Sequence, residues 1–261
     1  MLNIIHSIPQ WRELRKNFVA QHTIGFVPTM GNLHQGHLSL LQKSVAENDI
    51  TVLSIFVNPT QFNNPEDFKK YPQTFSDDCQ LAEKLGIHYL LAPSYEELYP
   101  DHYSYRISES QLSPLMEGQY RPGHFDGMLT IVMKLLLLVL PNKAYFGEKD
   151  YQQLQLIKGL VKNFFIDTEI IACPTIRENS GLPYSSRNNL LSSIQRQQAQ
   201  QFPEIFQSNL SCQEIADQLK QRGFSVDYVI EHFQRRFAAV KLDHIRLIDN
   251  ISLDEIKKDT R

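Results

Sequence analysis

Cysteine is scarce: Cys79, Cys173 and Cys212 are the only three in 261 residues, widely spaced and without a CxxC pair. That excludes a disulfide framework or a structural zinc site and fits a reducing cytoplasm, with all three expected to be buried and structural. No charge of one sign dominates, since 26 Lys and Arg stand against 29 Asp and Glu, a formal net charge of -3. The basic field that nucleic-acid binding favours is therefore absent. Long apolar runs are absent too. The most apolar one, residues 135–140, lies between Lys134 and Pro141, far short of the ~20 residues a membrane span needs. The N-terminal MLNIIHSIPQWRELRKNF becomes charged before a secretory signal could form. Neither internal repeats nor low-complexity tracts occur, and the length suits one large or two modest domains.

What is present gathers around residues 24–41, IGFVPTMGNLHQGHLSLL. An apolar, strand-like run over 24–27 stops at Pro28, crosses a loop holding Gly31, and resumes at Gly36 as a helix carrying Leu38, Leu40, Leu41 and Val45. A strand that feeds a helix through such a loop aims backbone N–H groups and the positive end of the helix dipole at one spot, which suits phosphate. The spacing of Gly31 and Gly36 mimics a Walker loop. It fails as one, because His37 replaces the lysine and Leu38 the magnesium-binding hydroxyl. The pattern HxGH remains, with His34 and His37 on one face at the helix start and Gly36 letting a ligand approach the backbone. Imidazoles so placed donate hydrogen bonds to a phosphate that gains charge during attack at its phosphorus. Four letters also match by chance, and the strand-to-helix placement is what favours the functional reading.

In chain order, a short amphipathic helix over 11–19 precedes this stretch, and residues 50–57 follow it as a strand covered on both faces, completing a right-handed beta-alpha-beta unit. Ligands of such sheets bind beyond the carboxyl ends of the strands, which puts Asn58, Pro59, Thr60 and Gln61 in the same crevice as His34 and His37. Gln61 offers donors and an acceptor to a small polar substrate, whereas Asn-Pro alone would be an ordinary turn. A helix over 76–85 carries Asp77 and Asp78 near its start, as dipole partners or with one facing magnesium, and a strand over 87–91 comes next. Residues 116–127, MEGQYRPGHFDG, read as a loop able to cover a site, and 128–139 as a buried helix.

A second strand, Gly-containing turn and helix occupy 143–161, and in the turn Lys149 supplies the fixed positive charge that the first turn lacks. Asp150 caps the helix or meets a ribose, and Gln152 and Gln153 are substrate-orienting candidates. After a strand over 168–172, Ser185, Ser186 and Arg187 join two hydroxyls to a guanidinium, a set suited to nucleotide phosphates but by itself a polar loop. Helices over 195–201 and 213–220 and strands over 224–229 and 244–248 mark a smaller unit. The expectation is an α/β fold, with a Rossmann-like parallel-sheet domain at 1–175 and a small α+β domain at 176–261.

The blocks PTMGNLHQGH, FVNPTQF, EGQYRPGHFDG, FGEKDYQQL, REN-GLPYSSRN and RLIDN, in this order over residues 24–251, resemble those of the pantothenate synthetase (pantoate:beta-alanine ligase) family of the HxGH nucleotidyltransferase superfamily. The resemblance implies a cytoplasmic homodimer with no nucleic-acid or membrane partner. It implies that pantoate attacks the alpha-phosphorus of ATP, giving pantoyl adenylate and pyrophosphate, and that the amine of beta-alanine then displaces AMP. Met30, Gly31, Asn32, Leu33, His34, Gln35, Gly36 and His37 would line the ATP site, with His34 and His37 stabilising the pentacoordinate phosphorus. Gly147, Glu148, Lys149 and Asp150 would contact ATP, Lys149 at the phosphates and Asp150 at the ribose. Ile176 would lie by the adenine, and Tyr184, Ser185, Ser186 and Arg187 would close over the phosphates from a C-terminal lid. Gln61 and Gln153 would hold pantoate, Gln61 also near beta-alanine, and Mg2+ would ride on ATP with Asp77 as outer ligand.

Departures from the family pattern are Pro183-Tyr184, Gln73 in place of an arginine, and a short interval between 229 and 246, as though part of the small sheet were missing. Transfer of a nucleotide to a phosphorylated acceptor would need basic residues where the neutral Gln61 and Gln153 stand. An aminoacyl-tRNA synthetase would need an anticodon-binding extension, and a mere nucleotide binder would not require His34, His37, Lys149 and Arg187 together.

Overall fold

The computed structural model describes residues 1–18 and 21–258, and the chain divides into two compact units. One comprises Met1–Glu148 and Gln152–Cys173; the other takes Lys149–Tyr151 and the chain from Pro174 onward.

The first unit contains β1 (Asn3–Ile5), α1 (Ile8–Arg15), β2 (Ile24–Thr29), α2 (Gln35–Glu47), β3 (Ile50–Ile55), α3 (Pro65–Lys69), α4 (Phe75–Lys84), β4 (Tyr89–Leu91), α5 (Tyr95–Leu98), α6 (Glu117–Tyr120), α7 (His124–Val139), β5 (Lys143–Gly147), most of α8 (Tyr151–Asn163) and β6 (Glu169–Cys173). All six strands run parallel in the order β1-β4-β3-β2-β5-β6. Helices on both faces bury β2 and β3 at nearly every position, which is why both read as continuous apolar runs. Gly25 permits a close approach of α2, because a Cβ there would lie 2.2 Å from Ser44 Oγ of that helix. From β2 the chain builds outward through β3 to β4, then returns across β2 to lay down β5 and β6 on its other side. The reversal falls between β2 and β5, and a crevice opens at such a point beyond the carboxyl ends of the two strands.

Several expectations need correction here. The first helix is Ile8–Arg15 and not residues 11–19, of which Val19 lies outside the described residues. The stretch read as a loop over 116–127 contains α6 and the start of α7. Among the cysteines, all free, Cys173 is buried, but Cys79 and Cys212 are only half-buried.

The second unit contains α9 (Ser193–Ala199), α10 (Gln201–Phe206), α11 (Cys212–Gln221), β7 (Ser225–His232), β8 (Arg235–Leu242), β9 (Ile245–Ser252) and α12 (Leu253–Lys258). The three strands form an antiparallel meander whose inner face packs with Phe202, Phe206, Ile215 and Leu219. The interval expected to lack part of a sheet holds β8. Its hairpin turns through Phe233 and Gln234, both at positive φ (50° and 55°), a backbone that usually announces itself as Asn-Gly. Arg236, buried in β8, donates to Phe206 O, Ser208 O and Leu210 O at 3.2, 2.7 and 2.9 Å, satisfying the last carbonyl of α10 and two beyond its end. Among the described residues, no helix is long and apolar enough to cross a membrane.

Candidate active site

The loop between β2 and α2 is held from below. Gly31 and Asn32 both lie at positive φ (79° and 51°), turning the chain sharply at the sheet edge. Asp78, buried in the first turn of α4, accepts hydrogen bonds from Asn32 N at 2.9 Å and Leu33 N at 2.8 Å, and from Thr74 Oγ1 at 3.2 Å. Of the two neighbouring aspartates, Asp78 therefore organises the loop while Asp77 is exposed on the same helix. His34 is the N-cap residue of α2, and Gln35, Gly36 and His37 form its first turn. The rings of His34 and His37 stack with centroids 4.0 Å apart and planes 19° apart, at the positive end of the helix dipole. Asp78→Ala is expected to lower kcat about tenfold and Tm as well, because the loop is released and the N–H groups of Asn32 and Leu33 lose a buried carboxylate partner, each such bond contributing roughly 1.5–3 kcal/mol to stability. Turnover measured beside Tm checks this, and an unchanged kcat would detach Asp78 from the loop's function.

After β3, Asn58 is the hub. Its Nδ2 donates to Gln61 Oε1 at 3.1 Å and to Gly127 O at 3.2 Å, and its Oδ1 accepts from Tyr99 Oη at 3.0 Å and Thr60 Oγ1 at 3.0 Å. Burial pushes the Tyr99 phenol up to about 12, so it remains a donor. Gly127 lets α7 lie against this turn, since a Cβ there would be 2.4 Å from Thr60 O. His124 Nδ1 pairs with Gln61 O at 2.8 Å, and its Nε2 pairs with Arg121 at 3.0 Å. Because Arg121 can only donate, Nε2 accepts and Nδ1 carries the proton. Gln61 Nε2 in turn points at Met30 Sδ, 3.2 Å away, which joins the turn after β3 to the loop after β2.

Gly147 and Glu148 lie where β5 ends at the same sheet edge, across the strand reversal from Met30. The two glutamines of α8 separate in role. Gln152 is buried, donates to Leu112 O at 2.9 Å and Leu115 O at 2.8 Å, and accepts from Glu117 N at 3.0 Å, so it fastens the segment before α6. That removes it as a substrate-orienting candidate and leaves the partly exposed Gln153.

The remaining candidates belong to the second unit: Lys149, Asp150, Ile176, Tyr184, Ser185, Ser186 and Arg187. Lys149 Nζ lies 3.6 Å from Asp150 Oδ1. Ile176 O accepts from Tyr184 N at 3.0 Å, and Arg177 bridges to Pro183, so residues 176–184 form a narrow double-back. Ser185 Oγ accepts from Arg187 N at 3.3 Å. Buried Asn188 closes the turn by donating to Pro183 O at 2.9 Å and Glu178 Oε1 at 2.8 Å. Sequence patterns pointed to neither Asp78, Asn58 and His124 as organisers nor Asn188 as a clasp; their roles depend on partners that pattern reading does not locate.

A family model for pantoate-beta-alanine ligase matches residues 3–252. A pantothenate synthetase of Coxiella burnetii (strain Dugway 5J108-111) is 57% identical over 258 residues, covering 99% of this chain and 100% of that relative. One from Legionella pneumophila (strain Corby) is 52% identical over 252 residues, with 97% and 100% covered. The solved pantoate-beta-alanine ligase of Francisella tularensis, complexed with beta-gamma ATP and beta-alanine, superposes with a TM-score of 0.94 at 44% identity, covering 97% of this chain and 98% of that one. A pantothenate synthetase of Thermus thermophilus gives 0.87 at 34% identity, with 96% and 99% covered.

Proposed function

The chain belongs to the pantoate-beta-alanine ligase family, and from that premise we propose that it makes pantothenate through an acyl adenylate. A carboxylate oxygen of pantoate forms a bond to the alpha-phosphorus of ATP while the bond to the beta-phosphate oxygen breaks, and pyrophosphate leaves with the electron pair. The amine of beta-alanine then attacks the activated carbonyl, AMP departs with the C–O electrons, and the amine proton passes to water. The observation that carries this reading is the stacked pair His34 and His37 at a helix N-terminus beside the sheet's strand reversal. Donors fixed there meet the charge that develops on the phosphorus oxygens without reorganising, and preorganised electrostatics of this kind supply most of the rate enhancement in many enzymes.

In this scheme Met30 through His37 and Gly147 through Asp150 bind ATP, and Lys149 neutralises its phosphates. Ile176 receives the adenine, and Tyr184 through Arg187 act on the phosphates. Gln61 and Gln153 orient pantoate. Gln61 suits the task because its Nε2 faces a thioether, a weak acceptor that a substrate oxygen readily replaces. Among the described residues no group of three His, Cys, Asp or Glu is arranged to hold a metal ion, and Asp77 is a single exposed carboxylate. Such a donor set fits magnesium carried by the triphosphate and its own waters, with Asp77 as outer ligand and charge neutralisation as the chemistry supplied. The 1–175 and 176–261 halves would serve as ATP- and pantoate-binding domain and as lid, in a cytoplasmic homodimer.

Exchange of labelled pyrophosphate into ATP, with and without pantoate, tests the first half-reaction. Exchange that requires pantoate is the expected result. Exchange without pantoate, or none while ATP still binds, would overturn the adenylate.

A further inference from the structure

We propose that Asn250 is a positioning residue for Lys149, an inference that rests on the assignment of Lys149 to the nucleotide phosphates. Lys149–Tyr151 group with the C-terminal unit although the chain on both sides of them belongs to the parallel-sheet unit. The cause is a set of contacts from strands β8 and β9. Asn250 Nδ2 donates to the backbone carbonyl of Lys149 at 2.8 Å, and Asn250 Oδ1 accepts from Arg235 Nε at 2.7 Å. Both ends of the amide are thus engaged, and the pairing dictates which end faces Lys149. The Arg235 guanidinium also lies over the Tyr151 ring, 4.5 Å from its centroid, and that ring packs 6.2 Å from Phe233 and 6.1 Å from Phe237.

Asn250 is anchored as firmly as what it holds. It is buried, its N donates to Asp249 Oδ1 at 2.7 Å, and its carbonyl accepts from Arg177 at 3.3 Å. Asp249, fully buried, receives the Arg177 fork at 2.7 and 2.9 Å. A carbonyl held this way restricts the backbone at Lys149 and Asp150, and with it the direction in which the ammonium is presented. A misplacement of about 1 Å in such a group can cost up to about a hundredfold in rate. This is a different contribution from the Lys149 side chain's own charge: the hydrogen bond runs to the main chain and survives truncation of the lysine.

The test is a double-mutant cycle between Asn250→Asp and Lys149→Ala, with kcat, KM for ATP and Tm read for each protein. Asn250→Asp keeps the acceptor for Arg235 but turns an oxygen toward the Lys149 carbonyl. The expected result is a kcat loss of about tenfold in the otherwise unchanged chain and less than about twofold in the Lys149→Ala background, since two residues acting through one group are not additive. Equal losses in both backgrounds, or a fall in Tm with kcat unchanged, would mean a purely structural role and overturn the proposal. Should Asn250→Asp not fold, Asn250→Ser, which is neutral and too short to reach, takes its place with the same criteria. A wild-type rate for Lys149→Ala overturns the assignment of Lys149 and the present proposal with it. A slow Lys149→Ala beside a fully active Asn250 variant overturns the present proposal alone.

Discussion

His37→Ala is expected to lower kcat by about 10² to 10³, or ~2.7–4 kcal/mol of barrier, the cost of removing one preorganised donor from developing charge. The fold should not notice. His37 occupies the first turn of α2, partly exposed and stacked on His34, while the core beneath is made by Leu40 and Leu41 on the same helix. The loop that delivers it is fastened through backbone N–H groups of Asn32 and Leu33 to Asp78, none of which the substitution touches. The measurement is the rate of pantothenate formation beside a thermal melt. A hundredfold slower enzyme with an unchanged Tm supports a transition-state role. A normal rate would take His37 out of the mechanism, and loss of rate together with Tm would reduce it to a structural residue.

The second large effect concerns stability. Asp249→Ala is expected to cost about 3 kcal/mol, because breaking a buried pair leaves its partner without compensation. Burial pushes the Asp249 carboxyl up, and the Arg177 guanidinium, held bidentate at 2.7 and 2.9 Å, pulls against that. With the carboxylate gone, Arg177 retains contacts to Gly181 O at 2.9 Å and Asn250 O at 3.3 Å, too few for a guanidinium only a quarter exposed. Urea unfolding of the single variant should show the loss. An Asp249→Leu, Arg177→Met double variant should recover much of it, since replacing both members of a buried pair by apolar groups is often neutral. If the double variant is as unstable as the sum of the singles, the pair is not acting as a unit.

The same elements show how far the amino-acid sequence alone reaches. β2, its glycine loop and α2 were legible because every signal is local: a buried apolar run, Gly31 where positive φ is needed, and a switch from strand to helical spacing within a few residues. The family blocks were legible for the same reason, each being a short run of adjacent residues. β8 was not, because its turn uses Phe233 and Gln234 where a reader looks for Gly or Asn, and Arg236 puts a second charge at the start of the strand, its carbonyl partners lying at and just beyond the end of α10.

Neighbouring residues of one type mark the boundary most clearly. Asp77 and Asp78 differ by one step around α4, as do Gln152 and Gln153 on α8, so pattern reading treats the members of each pair as equivalent. Packing does not: one member of each pair is buried against backbone groups, while Asp77 is exposed and Gln153 partly so. By itself the sequence determined the chemistry available, two imidazoles, a lysine and a glutamine at the ends of buried strands, because residue type and local backbone preference are properties of the chain. Only the tertiary structure decided the strand order that puts the reversal between β2 and β5, the carboxylate that holds the histidine loop, and the amide from β9 that holds Lys149 across 101 residues. Those choices are made by close packing and by the need to pair every buried polar group, and neither leaves a trace in the spacing of neighbours along the chain.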